Sequence, residues 1–95
     1  MVGPFNLNPR IPREVVEGPD YEGLVKATGL SQAELDRRLE GLLFAIARIP
    51  ERFPKVPAAP ISVARHDATP PLLLFFTFTD TTVTLLGIQL SENEA

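Results

Sequence analysis

Two apolar runs between Pro70 and Leu90 constrain the fold more than any other part of this 95-residue chain. The segment reads PPLLLFFTFTDTTVTLLGIQL and is rich in the β-branched and aromatic residues that strands prefer. Because successive side chains of a strand point to opposite faces, the first run places four large residues together: Leu72, Leu74, Phe76 and Phe78. The second run divides into two sets by the same rule: Leu86, Ile88 and Leu90 against Val83, Leu85 and Gly87. Both faces are partly apolar, so the sequence predicts a hairpin of central strands covered on at least one side.

The turn between the two runs, from Thr79 to Thr82, lacks the Asn-Gly or Asp-Gly pair that marks a two-residue hairpin loop. In longer turns, an aspartate side chain accepts hydrogen bonds from nearby backbone amides. We therefore predict that Asp80 stabilises a type I turn here through its carboxylate.

A sharp helix signal lies upstream, at Leu30-Ser31-Gln32-Ala33-Glu34-Leu35. It has the pattern of a capping box, in which Ser31 accepts from the amide of Glu34 and Glu34 accepts from the amide of Ser31, with Leu30 and Leu35 as the hydrophobic staple. Glu34 and Arg38 are also spaced for an ion pair along the helix. The helix is predicted to run to about Ile49, because Pro50 ends it.

The apolar residues of this helix are spaced as one stripe: Leu35, Leu39, Leu42, Ile46 and Ile49, widened by Leu43, Phe44 and Ala47. Such a stripe fits either a helix lying on a sheet, which we favour, or the seam of a coiled-coil dimer. Gly41 is unfavourable in a helix interior by about 1 kcal/mol relative to alanine, so we expect it to permit a close approach to a neighbouring element.

The remaining segments are shorter. Phe5 and Leu7 alternate with Asn6 and Asn8 as in a short edge strand, which Pro9 and Pro12 prevent from forming a long ladder. Val15 and Val16 are expected to anchor this arm. Asp20 is predicted to cap a helix over 21–28, and Gly29 to end it. Phe53 and Val56 are expected to hold a proline-spaced connector against the core. The predicted organisation is a single domain in five parts: a proline-rich arm 1–20, a helical pair 21–49, the connector 50–60, an antiparallel β-meander 61–90 and a polar tail 91–95. This order predicts an α+β fold, with two helices packed on a small antiparallel sheet.

Composition excludes several classes of function. The chain has no cysteine, so it has neither disulfides nor a thiolate metal site. Asp36 and Glu40 lie one helical turn apart, but no histidine or third acid accompanies them at ligand spacing, so we predict a solvated helix face, no metal and no cofactor. The net charge of −3 argues against a generally basic nucleic-acid binder. Without a signal-peptide pattern or a membrane-length apolar run, a cytoplasmic protein is expected.

Three passages resemble the RelE/ParE superfamily, the small toxins of type II toxin–antitoxin systems. LLFAIARIPERFPKV is similar to the end of the second family helix and the connector after it, and ISVARHDATPPLLLFFTF to a strand with an arginine followed by a strongly apolar strand. DTTVTLLGIQ is similar to the next family strand. Together they cover about residues 30–90, roughly two-thirds of the chain.

The resemblance implies one of two activities and an antitoxin partner. RelE-type members cleave messenger RNA on the ribosome, with basic residues and often a late tyrosine, whereas ParE-type members inhibit DNA gyrase. Arg65 occupies the matching place on its strand, and Lys55 lies where family members often carry basic residues. The late arginine and tyrosine are absent, and the single tyrosine, Tyr21, lies in a different element. The resemblance therefore leaves open whether the chain is a ribosome-dependent endoribonuclease.

Residues 48–66 concentrate positive charge in an otherwise acidic chain. Arg48, Arg52, Lys55 and Arg65 stand against Glu51 alone, which gives this segment a charge of +3. In the nuclease hypothesis Arg48, Arg52 and Lys55 bind phosphate, Arg65 stabilises the transition state and His66 transfers a proton. In the alternative, Arg65 pairs with a nearby carboxylate such as Asp67, and His66 is a solvated residue at the end of a strand. Strand alternation places Arg65 and His66 on opposite faces.

Two function classes thus remain: a RelE/ParE-like toxin acting on ribosome-bound RNA or on gyrase, and a non-catalytic interaction or dimerisation module on the same scaffold. The phenylalanines of the apolar strand allow base stacking or core packing, and we favour packing because their neighbours are aliphatic. The apolar excess on both faces of residues 72–90 predicts a partner, either an antitoxin or a second copy of the chain.

Overall fold

A computed structural model describes residues 12–67 and 71–90. These residues form two helices and a four-stranded sheet, an α+β fold as predicted. Its elements, in chain order, are β1 (Glu14–Glu17), α1 (Tyr21–Ala27), α2 (Gln32–Arg48), a 3-10 turn (Pro50–Arg52), β2 (Ser62–His66), β3 (Leu72–Phe78) and β4 (Thr82–Leu90). The strand predicted at Phe5–Leu7 and the tail 91–95 lie outside the described residues.

The strands lie in the order β1-β4-β3-β2. β2, β3 and β4 form the antiparallel meander that the sequence predicts. β1 pairs with β4 in parallel, with Val15 opposite Val83, so the sheet is mixed and not wholly antiparallel. The two valines that were expected only to anchor the arm therefore belong to an edge strand, and Val15 packs against the core.

The hairpin of β3 and β4 carries the core, but its second strand is irregular. Phe75 pairs with Gly87 while Phe76 pairs with Leu85, which leaves Leu86 as an extra residue in β4. A bulge of this kind shifts the alternation of side chains by one position. Val83, Leu85 and Ile88 are consequently all buried, and Leu86 is not part of the core. The predicted division of β4, with Leu86 beside Ile88, is wrong for this reason.

Helix α2 lies on the sheet through the predicted apolar stripe. Leu35, Leu39 and Ile46 are buried in one cluster with Leu72, Leu74 and Phe76 of β3. The stripe thus faces the sheet of the same chain, as favoured over the coiled-coil alternative. Two expectations about α2 are wrong. Phe44 does not widen the buried stripe, because 60% of its surface is exposed, and a side chain at Gly41 would meet no atom within 4 Å.

The helix termini follow the sequence signals in part. Ser31 accepts a hydrogen bond of 3.1 Å from the amide of Glu34, which is one half of the predicted capping box. The carboxylate of Glu34 instead contacts Arg38, at 2.7 Å, and Arg37, so the reciprocal half is not formed. Asp20 precedes α1 without a side-chain capping bond. Gly29 follows α1 with a φ of 78°, the left-handed conformation predicted for it.

Two connections complete the core. In the β3–β4 turn, Thr79 takes the role predicted for Asp80: its hydroxyl accepts from the amides of Thr81 and Thr82, at 3.3 and 3.1 Å. In the connector, Phe53 packs edge-on against Phe76 with 5.8 Å between ring centroids, as expected of a residue that holds this segment in place.

Phe76→Ala and Leu86→Ala should lower the free energy of unfolding by different amounts. Phe76 is fully buried, so its truncation is expected to lower the free energy of unfolding by about 3–5 kcal/mol. Leu86 lies at the bulge and outside the core, so its truncation should cost less than about 1.5 kcal/mol. Denaturant titration of both variants measures the difference, and equal losses would contradict the bulged register.

Ser31→Ala is expected to destabilise the protein by about 1 kcal/mol, because the amide of Glu34 loses its acceptor. Ser31→Asn keeps a side-chain oxygen at this position and serves as the matched control, with stability close to that of the wild type. Equal stability of the two variants in denaturant titration would show that the cap does not contribute.

Candidate functional site

Arg65 and His66, the two predicted catalytic residues, lie on opposite faces of β2. Ala64 pairs with Leu74 in the core, so Arg65, its neighbour, is on the other face. The guanidinium of Arg65 contacts the carboxylate of Asp67 at 2.5 Å, which is the pairing that the alternative interpretation anticipated. The strand thus presents the cation and the imidazole in different directions.

His66 lies on the core face of β2 and is partly buried. It shares the face of Ala64, and it pairs in register with Leu72, which is fully buried. Its Nδ1 is buried and accepts or donates no hydrogen bond within the part of the chain described. A general acid or base must reach the reacting atom directly or through one water molecule, which the buried Nδ1 cannot do.

The three residues predicted to bind phosphate are held by different neighbours. The Arg48 guanidinium lies 3.7 Å above the ring of Phe44, on α2. The Lys55 amine lies 5.7 Å from the ring centre of Phe78, at the end of β3. Arg52 is exposed at the end of the 3-10 turn. The contacts of Arg48 and Lys55 are cation–π interactions, which stabilise a cation against an aromatic face.

The layers of the fold also separate these cations. Arg48 is on α2, which covers the core face of the sheet, whereas Arg65 is on the opposite face of β2. The sheet and the helix therefore lie between them. The positive charge that is contiguous in the sequence is divided between two sides of the molecule.

Arg13 is a basic residue that the sequence analysis did not single out. Its Nε donates to the carbonyl of Thr79 at 2.8 Å, its Nη1 to the carbonyl of Arg48 at 3.4 Å, and its guanidinium lies 5.7 Å from the centre of the Phe78 ring. These contacts tie the start of β1 to the β3–β4 turn and the end of α2. No sequence pattern indicates them, because they join positions far apart in the chain.

A cavity of about 740 Å³ lies between α1 and α2. Its apolar lining comprises Val25, Leu35, Leu39, Leu43 and Leu85, and its carboxylates are those of Glu17, Glu22, Asp36 and Glu40. Arg37 also lines it but contacts Glu34, and Glu22 contacts Lys26 at 3.6 Å. Within residues 12–67 and 71–90, Glu17, Asp36 and Glu40 form no salt bridge. The cavity is therefore an apolar recess with a negatively charged rim.

Tyr21 contributes a hydroxyl group to the lining of this recess. It is 6% exposed, it lines the cavity, and its hydroxyl forms no hydrogen bond with the described residues. Burial raises the pKa of the hydroxyl, and the negative charges of Glu17 and Asp36 raise this pKa further. The sequence placed Tyr21 in α1 but did not indicate the recess, because residues of three other elements, β1, α2 and β4, also line it.

The described residues offer no metal site and no membrane span. No group of three or more histidines, aspartates and glutamates within them is placed to hold a metal ion. Neither helix in the described ranges has the length and apolar character that crossing a bilayer requires.

Glu17→Gln is expected to lower the pKa of Tyr21 only part of the way to its ordinary value, because burial is the largest cause of the shift. The chain has one tyrosine and no tryptophan, so ultraviolet absorbance of the tyrosinate measures this pKa directly. Because the folded-state pKa is the higher one, the contribution of Tyr21 to stability is present below the unfolded-state pKa and is lost as pH rises through the folded-state pKa.

Glu51→Gln provides the control for this titration, since Glu51 lies in the 3-10 turn and does not line the cavity. It should leave the pKa of Tyr21 unchanged. A Glu17→Gln variant that titrates like the wild type would mean that this carboxylate lies too far from the hydroxyl to act on it.

Comparison with known proteins does not assign the chain to a family. No family model matches it, and no curated protein matches it. The resemblance to the RelE/ParE superfamily accordingly rests on the three passages within residues 30–90.

Proposed function

We propose that this protein is a RelE/ParE-like component of a cytoplasmic type II toxin–antitoxin system that acts by binding other proteins and does not cleave RNA. The observation that carries this proposal is the dispersion of the predicted nuclease residues. Arg65 pairs with Asp67, His66 directs a nitrogen into the interior, and Arg48 lies on the far side of the sheet from Arg65.

Cleavage of RNA by attack of the 2′-hydroxyl requires a base, an acid and a cation around one phosphate. In this fold, a phosphate that contacts Arg65 faces the side of β2 away from His66. Arg65 is also close to the Asp67 carboxylate, whose negative charge opposes the approach of a phosphate. These contacts support binding in preference to catalysis.

The partner in this proposal is an antitoxin or a second copy of the chain. A toxin that acts by binding alone has a target that it inhibits, as the ParE-type members inhibit gyrase. The acidic balance of the chain, −3, supports a protein target over a nucleic acid, because phosphate binding depends on positive charge.

The test is incubation of the purified protein with ribosomes that are translating a message. We expect no cleavage by the wild type. If expression in a bacterial host arrests growth, Arg65→Ala should leave the arrest unchanged, because the proposed action does not use the arginine as a phosphate ligand. Lys26→Ala, which removes an exposed cation of α1 outside residues 48–66, is the matched control.

Cleavage of ribosome-bound message by the wild type that Arg65→Ala reduces by about 10²–10³ would overturn the proposal, since this is the effect of losing one group that stabilises transition-state charge. In that case, loss of cleavage in His66→Ala would assign proton transfer to the imidazole. A weaker effect of Lys55→Ala, confined to RNA affinity, would assign phosphate binding to the lysine.

A further inference from the structure

One exposed row of α2 has an unusual arrangement of charge. Asp36, Glu40, Phe44 and Arg48 follow one another at intervals of four residues, so they form a continuous ridge on the helix surface. The row has two acids in its N-terminal half and an aromatic ring with a stacked cation in its C-terminal half. Phe44 is 60% exposed, which is high for a large apolar side chain with no role in the core.

The row is complementary to itself when two copies of α2 pair in an antiparallel sense. Asp36 and Arg48 are equidistant from Leu42, and so are Glu40 and Phe44. A two-fold axis that crosses the row midway between Glu40 and Phe44 therefore places Asp36 of each copy opposite Arg48 of the other, and Glu40 opposite Phe44. An interface about a two-fold axis must be self-complementary in this way.

The contacts within one chain leave the groups of this row available. Arg48 contacts Phe44 and its carbonyl, with 3.3 Å between Nη1 and the oxygen, and it pairs with no carboxylate in the described ranges. Asp36 accepts a hydrogen bond of 2.8 Å from the amide of Gln32, and Glu40 forms no salt bridge with the described residues. Opposite charges thus face solvent at the two ends of one helix.

The cavity supplies a place for the exposed ring. Asp36 and Glu40 are both on its rim, and Leu39 and Leu43 of the same helix form its apolar lining. In the antiparallel pair, Phe44 of one copy lies beside this recess of the other. An aromatic side chain buries about 150–250 Å² in all, and Phe44 is 60% exposed in the single chain, so the dimer would remove up to about 90–150 Å² of it from water. Aromatic and arginine side chains are enriched among the residues that dominate binding.

Pairing of two α2 helices would also explain why a glycine, Gly41, stands in the interior of this helix. Gly41 lies next to the centre of the row, and a side chain there would meet no atom of the same chain within 4 Å. The close approach predicted for this glycine is absent within the chain. A second α2 that crosses the row between Glu40 and Phe44 would provide it, because the missing side chain lets the two backbones come together.

We propose that the occupant of this surface is a second copy of the chain, which pairs its α2 antiparallel to the first and seats Phe44 at the rim of the acidic cavity. This inference rests on the proposed function, since it names a partner for a module that acts by binding. The two can fail separately: a monomer that cleaves no RNA contradicts only the dimer, and a dimer that cleaves RNA contradicts only the proposed function.

The experiment is sedimentation equilibrium of the full chain over a range of concentrations. The wild type should be a dimer, and Phe44→Ser should weaken dimerisation at least about tenfold, as expected for a central aromatic residue. Arg48→Glu should do the same by placing like charges opposite each other. Arg52→Glu, which makes the same change of charge just beyond the helix, is the control and should leave the dimer intact.

A mixture of variants tests the pairing itself. In a dimer of Arg48→Glu, two acidic side chains would face each other at each end, and in a dimer of Asp36→Lys two basic side chains would do so. Each variant alone should therefore be monomeric. In a heterodimer of the two variants, one end keeps the original pair of Asp36 and Arg48, and the other end has the acid and the base exchanged. Opposite charges then face each other at both ends, so a heterodimer should form in the mixture. Its formation also shows that neither variant has lost its fold.

A wild type that stays monomeric at all concentrations, a dimer unaffected by Phe44→Ser, or a mixture that stays monomeric would each overturn the inference. Tyrosine fluorescence gives a second measurement, because Tyr21 is the sole tyrosine and lines the cavity. Dimerisation should change its emission in the wild type but not in Phe44→Ser at the same concentration.

Discussion

The register between β3 and β4 is the constraint on which the rest of the structure depends. Leu72, Leu74 and Phe76 have no exposed surface, and they belong to one buried cluster with residues of both helices, of β2 and of β4. Their position on one face is possible only if β4 supplies matching apolar residues opposite each of them. The bulge at Leu86 achieves this by bringing Leu85 and Ile88 to the same side. Helix α2 covers this face of the sheet with Leu35, Leu39 and Ile46.

Sequence analysis predicted those features that depend on neighbouring residues. The start of α2 at Ser31, its end before Pro50 and the left-handed Gly29 are all set by local steric and hydrogen-bonding preferences. It missed the bulge, since strict alternation was assumed where an extra residue shifts the pattern. It also missed the parallel pairing of β1, because four residues of ordinary composition carry no signal for a partner almost 70 positions away.

The same limit explains the candidate sites. Spacing along β2 indicated correctly that Arg65 and His66 face opposite ways, but proximity in sequence could not reveal that sheet and helix divide the remaining cations. The recess around Tyr21 draws its lining from α1, α2, β1 and β4, so no single segment could predict it. By contrast, the row from Asp36 to Arg48 is fully visible in the sequence. Its meaning depends on knowing which side of α2 the sheet covers.

The extra residue in β4 has a consequence for how this chain tolerates changes in length. Removing Leu86 would leave one residue of β4 opposite each residue of β3, with Leu85 still opposite Phe76 and Ile88 still opposite Leu74, so Ile88 and Leu90 would stay on the core face. A residue inserted between Leu86 and Ile88 would instead turn Ile88 and Leu90 to the other face unless the bulge grew by one residue. The bulge is therefore a position at which β4 can lose a residue and keep its core face.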